Sequence, residues 1–199
     1  MTAERSSATA FAPASVGNVG VGFDILGHTV AALGDRVRAI RRAEPGVSIR
    51  AITGVHVDLP LAAEKNTAGM AVLALQRDLA LPFGFDLEIE KGIPLGSGLG
   101  GSAASAVAGV VAAAALVDRP FERTQLLKYA MQGEAVASGS VHVDNIAPSL
   151  FGGLVLTVGI DNPFVKQIPV PDSVRCVLVH PHMVLPTREA RAILSKTVA

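Results

Sequence analysis

Apolar and polar positions change period several times along the chain, and each change marks an element. Short apolar-rich runs at 8–14, 25–31, 36–41 and 47–52 are separated by Gly, Pro and Asp, so the chain is predicted to open with strands. Asn66 and Thr67 then precede Met70, Leu73, Ala74 and Arg77 at helical spacing, and Pro82 follows, which predicts a helix to about residue 79. Beyond it Phe85, Leu87 and Ile89 alternate with Asp86, Glu88 and Glu90. That alternation predicts a strand with one wet face rather than a central parallel strand buried on both sides. A glycine-rich loop at 96–101 leads into an Ala-rich helix from Ser102, and a second helix is predicted over 121–137 behind Pro120. Segments 154–158 and 175–179 read as strands, and 187–194 as a helix. The reading is mixed α and β. Pro163, Pro169 and Pro171 mark a junction, so residues 1–165 are assigned to one unit and 166–199 to the opening of a second.

Composition narrows the functional classes. The chain has 199 residues, of which 50% are apolar and only 17% charged, which suits a packed globular core. Its 17 basic and 17 acidic residues cancel, and no basic run exceeds Arg41-Arg42, which argues against nucleic-acid or anionic-membrane partners. The apolar stretch 103–117 is mostly Ala and falls short of the roughly 20 strongly apolar residues that span a bilayer, so it reads as a buried helix. The lone Cys176 excludes an internal disulfide framework and reads as core filler. With no secretory pattern at the N-terminus, a reducing, cytoplasmic location is expected.

The chemistry concentrates in the glycine loop. Lys91 to Ser105 places five glycines between a strand and a helix, so backbone N–H groups can turn toward a ligand beside the positive end of a helix dipole. That is a phosphate cradle. Gly96-Ser-Gly98-Leu-Gly-Gly101 also matches the dinucleotide pattern, but its strand is amphipathic and the match lies mid-chain. A P-loop reading fails because Gly101 stands where that motif carries lysine.

The segment Pro94-Leu95-Gly96-Ser97-Gly98-Leu99-Gly100-Gly101-Ser102-Ala103, continued by Ala104, resembles the phosphate-binding motif of the GHMP kinases. The second serine of the family's usual pair falls on Ser102, and the first is replaced by Gly101. Two further segments are similar to the homoserine kinase branch of that family: 12–27, with Asn18 and Asp24, and 138–153, with His142, Asp144, Asn145 and Pro148. Thr187 to Leu194 resembles a third, the T-x-x-A-R segment.

The resemblance implies an α+β fold, with an N-terminal domain like ribosomal protein S5 domain 2 and a ferredoxin-like second domain begun but incomplete here. It also implies ATP-dependent phosphorylation of the hydroxyl of L-homoserine in threonine biosynthesis, with Mg²⁺ as cofactor. A homodimer stays open. By the same resemblance Ser102 and Glu134 hold the metal, while Asp24 takes the substrate ammonium and Arg191 its carboxylate. Asn18 and His142 add polar contacts, and Thr187 and His142 lie near the reacting hydroxyl. The loop from Pro94 to Ala104 binds the nucleotide. Lys91 is either a phosphate contact or a solvated strand end, and Asn66 either a base contact or a helix cap. Two alternatives remain: a non-catalytic binding protein of the same fold, and a kinase for another small alcohol.

Overall fold

The computed structural model describes residues 5–55, 58–138, 141–159, 161–179 and 193. It is an α+β arrangement in which strands β1 (Ser7–Val16), β2 (Leu26–Arg42), β3 (Gly46–Gly54), β4 (Gly84–Lys91), β5 (Leu154–Val158) and β6 (Phe164–Ile168) form one sheet. Helices α1 (Thr67–Asp78), α2 (Gly101–Ala114), α3 (Arg123–Ser138) and α4 (Val143–Phe151) pack together, with α2 and α4 against β1 and β2.

Strand β2 organises the sheet. It is long enough to pair antiparallel with β1, with β4 over 36–42 and with β5 over 26–28, while β3 joins β4 in parallel and β6 joins β5 antiparallel. The two runs predicted at 25–31 and 36–41 are thus one strand, and Asp35, which reads as a turn residue, is fully buried within it. A register shift opposite Pro13 and Ala14 accommodates the irregularity. The mostly antiparallel sheet is not the doubly wound parallel arrangement that dinucleotide binding would require.

The alternation in β4 survives in part. Phe85, Leu87 and Ile89 face the core, while Arg38 meets Glu88 at 3.2 Å and Arg36 meets Glu90 at 3.5 Å on the wet face. Yet β4 lies between β2 and β3, and Asp86 is buried because Arg50, at 2.5 Å, and Arg42, at 3.7 Å, neutralise it from neighbouring strands.

Helix α1 starts where expected, with Asn66 Oδ1 accepting from the amides of Ala68 and Gly69. Helix α2 contributes eleven buried residues, chiefly alanines, so its narrow surface lets α1, α3 and the sheet approach it closely. Helix α4 was not anticipated, because Pro148 within it argues against a helix. Strand β6 carries the sheet past residue 165 to Ile168, and no strand forms over 175–179, where every residue is exposed. Cys176 is correspondingly an exposed thiol rather than core filler, with Sγ 3.9 Å from His28 Nε2. The predicted 187–194 helix lies outside the described residues. Among described residues, no helix is long and apolar enough to cross a membrane.

Candidate functional site

A cavity of about 240 Å³ opens where the β4–α2 loop meets the β1–β2 connection and the start of α4. Loop residues 94–102 form one wall, Gly17 and Asn18 another, and Glu134, His142 and Asn145 close it from α3 and α4.

The loop has the backbone its composition suggests. Gly96, Gly98 and Gly100 have φ of +66°, +71° and +64°, a left-handed conformation that costs other residues about 1–2 kcal/mol. Gly100 is also the N-cap of α2, and it offers no side-chain hydrogen bond, nor is there an acidic residue in the first turn. The first amides of α2 therefore keep their donor capacity and their share of the helix dipole for an external anion. Midway along the loop Ser15 N donates to Leu99 O at 3.1 Å, and Ser97 Oγ to Pro94 O at 2.6 Å.

At the head of α2, Ser102 Oγ donates to Glu134 Oε1 at 3.0 Å. Glu134 is only 4% exposed, and burial pushes its carboxyl up to about 7; the Ser102 hydrogen bond opposes the rise, the nearby charge of Asp144 adds to it, and Lys91 opposes it. Asp144, 1% exposed, is raised for the same first reason, and its Oδ1 is a buried oxygen that accepts no hydrogen bond among the described residues. Its other oxygen accepts from Asn18 N at 3.0 Å. These groups fit a small hard cation: a hydroxyl and a carboxylate already in contact, and a further buried carboxylate oxygen, all oxygen donors.

The β1–β2 connection is folded around its polar residues. Asn18 and Asp24 both adopt positive φ, +56° and +61°, and Asn18 Oδ1 accepts from Asp24 N at 2.9 Å. Gly17 lies so close to Asp144 that a Cβ there would collide with its carboxylate. Ligand atoms of Asp24, His142 and Asp144 lie within 4.8 Å of one another, and of the three His142 lines the cavity.

The structure thus brings together Asn18, Asp24, His142, Glu134, Ser102 and the loop from Pro94 to Gly101. Four further expected residues are not among those that line the cavity. Lys91 is 3% exposed and bonded to Asp35, Gly101 O and Ser105, so it is neither a solvated strand end nor part of the cavity wall. Asn66 spends its side chain on the α1 cap and on Pro60 O, at 3.0 Å. Ala103 and Ala104 are buried in the core. Thr187 and Arg191 lie outside the described residues. Sequence reasoning passed over Gly17, Asp144 and Asn145 as site residues, although all three stand in the quoted 12–27 and 138–153 segments; Asp35 reads locally as a turn residue, with no sign of a role near the loop.

Comparison with known proteins follows the same lines. Residues 66–153 match the family model described as GHMP kinases N terminal domain. A homoserine kinase of Xylella fastidiosa strain M12 is 54% identical over 191 residues, which is 95% of this chain and 58% of that protein, so the chain spans less than two thirds of that relative's length. The crystal structure of homoserine kinase from Cytophaga hutchinsonii superposes with a TM-score of 0.91 at 42% identity, covering 100% of this chain and 63% of that one. A mevalonate kinase from Methanococcus jannaschii, 16% identical, shares the fold with a TM-score of 0.61 over 81% of this chain and 56% of its own. Residues 66–153, which include the glycine loop, the start of α2, Ser102 and Glu134, thus match the GHMP kinases N terminal domain, and over nearly all of its length the chain is similar to homoserine kinases.

Proposed function

We propose that these residues form the nucleotide site and much of the acceptor site of an ATP-dependent kinase that converts L-homoserine to O-phospho-L-homoserine. The observation that carries this reading is the uncapped N-terminus of α2, which sits behind three left-handed glycines and beside the Ser102–Glu134 pair in one cavity. Phosphoryl transfer asks mainly for positioning and charge neutralisation, and this arrangement supplies both. The amides of the loop and of the first turn of α2 bind phosphate oxygens and hold the chain of phosphates in line with the acceptor. Ser102 and Glu134 hold Mg²⁺, which when bound neutralises charge on the phosphates. Glu134 must lose its proton to do so, and the field of Lys91 assists that loss.

Beside His142 the carboxylate of Asp24 receives the substrate ammonium, and Asn18 and His142 orient the amino acid. Arg191 and Thr187 keep the roles the family resemblance gives them: a fork for the substrate carboxylate and a hydroxyl near the reacting oxygen. Residues after β6, which ends at Ile168, are read as the beginning of a second domain.

Calorimetric titration of the chain with ATP, with and without Mg²⁺, tests the nucleotide half of this reading. Saturable binding that weakens about tenfold or more without Mg²⁺, and equally in Ser102→Ala, is the expected result. Binding indifferent to both Mg²⁺ and Ser102 overturns it.

A further inference from the structure

The most connected buried polar group in the described structure is one the proposed chemistry does not use. Asp35, on β2, is 0% exposed. Its Oδ1 accepts from the amides of Gly92 and Ile93 at 3.0 and 3.2 Å, and its Oδ2 accepts from Lys91 Nζ and from Ser105 Oγ, the latter at 2.6 Å. Lys91 in turn donates to Gly101 O at 2.9 Å and to Ser105 Oγ at 2.8 Å.

The topology of these bonds matters more than their number. Gly92 and Ile93 are where the glycine loop leaves β4, and Gly101 and Ser105 are where it enters α2. One carboxylate therefore ties both ends of the loop, directly at the first and through Lys91 and Ser105 at the second. A chain of about ten residues with three left-handed glycines has high conformational entropy, and its amides point consistently at a ligand only if its ends are held. Burying an aspartate and a lysine merely for stability is a poor bargain, since apolar residues of similar volume often do as well or better. A role in fixing geometry accounts for the buried charges where stability alone does not.

We propose that Asp35 is a positioning residue for nucleotide binding, acting through Lys91 and Ser105 to hold the 92–101 loop in its ligand-ready shape. The inference rests on the loop being the phosphate site, but its first readout does not. Hydrogen exchange of the peptide covering 92–101 is measured without nucleotide in the wild-type chain, in Ser105→Ala and in the double variant Asp35→Asn with Lys91→Met. The double variant removes both buried charges together, so no lone charge remains to unfold the protein. In the folded double variant, loop exchange is expected to accelerate about tenfold while exchange in β2 and β4 is unchanged.

ATP affinity, or KM for ATP in the full protein, is expected to weaken by about the same factor, with KM for the amino-acid acceptor within about twofold of wild type. A purely structural role would instead lower the melting temperature and leave that split absent. Should the double variant lack a cooperative melt, Ser105→Ala decides, because alanine suits a helix interior, and faster loop exchange at an unaltered melting temperature is then the expected result. Unchanged loop exchange in the folded variant overturns the proposal. Faster loop exchange in a chain that binds no ATP at all leaves the clamp standing and removes the nucleotide reading instead.

Discussion

Replacing Glu134 with glutamine is expected to change the pH dependence of folding in a definite direction. Burial first, and the nearby charge of Asp144 second among the raising influences, move this carboxyl from 4.5 to about 7 in the folded protein. Between those values the folded chain holds a proton that the unfolded chain has released, so stability falls as pH rises through the window. Each pH unit is worth about 1.4 kcal/mol, so the wild-type protein is expected to lose about 3 kcal/mol from this group between pH 4 and pH 8.

The Gln variant keeps the shape and an acceptor for Ser102 Oγ, but has no charge to bury. Any fixed cost of the buried amide cancels when the variant and wild type are compared at two pH values. Urea unfolding of both proteins at pH 4 and pH 8, in EDTA and without nucleotide, gives the four free energies required. The stability of the variant relative to wild type should increase by about 3 kcal/mol from the lower to the higher pH. A difference that stays constant to within about 0.5 kcal/mol, or moves the other way, would refute the claim that this carboxylate is desolvated.

Three other changes have equally direct outcomes. Gly100→Ala forces a Cβ into φ +64° and against Ser15, so a loss of about 1–3 kcal/mol in chemical denaturation is expected together with weaker ATP binding; a neutral effect on both would be inconsistent with the loop geometry. Phe85→Ala empties a fully buried position in β4 and should cost about 3–5 kcal/mol by the same assay, a loss below about 1 kcal/mol counting against the core assignment. Cys176 should react with a thiol reagent in the native protein at the rate of an exposed cysteine, and reaction only after denaturation would contradict its placement.

The parts of the fold legible in the sequence are those governed by neighbours a few residues away. Asn66 announces the start of α1, five glycines before an alanine run announce the loop and α2, and the alternation of 85–90 announces a strand. What escaped depends on partners distant in the chain. Asp86 looks solvated until Arg50 and Arg42 are placed beside it, and Asp35 looks like a turn until Lys91, 56 positions away, is brought against it. Helix α4 escaped because Pro148 disfavours it locally while packing against β1, β2 and β5 supports it. In the site, Asn18, Asp24, Ser102, Glu134 and His142 are named by the family resemblance rather than by their local sequence; the clamp behind the loop belongs to no motif and is visible only in three dimensions.

The central claim is that this cavity belongs to a kinase acting on a small amino acid alcohol. Its most direct test is Mg²⁺-dependent ADP release from ATP by the full open reading frame that contains these residues, with L-homoserine, L-threonine and mevalonate as separate acceptors. Release that depends on L-homoserine and is abolished by both Ser102→Ala and Asp24→Ala is the result the account predicts. A folded protein that binds ATP but releases no ADP with any acceptor would contradict it and make the chain part of a non-catalytic binding protein.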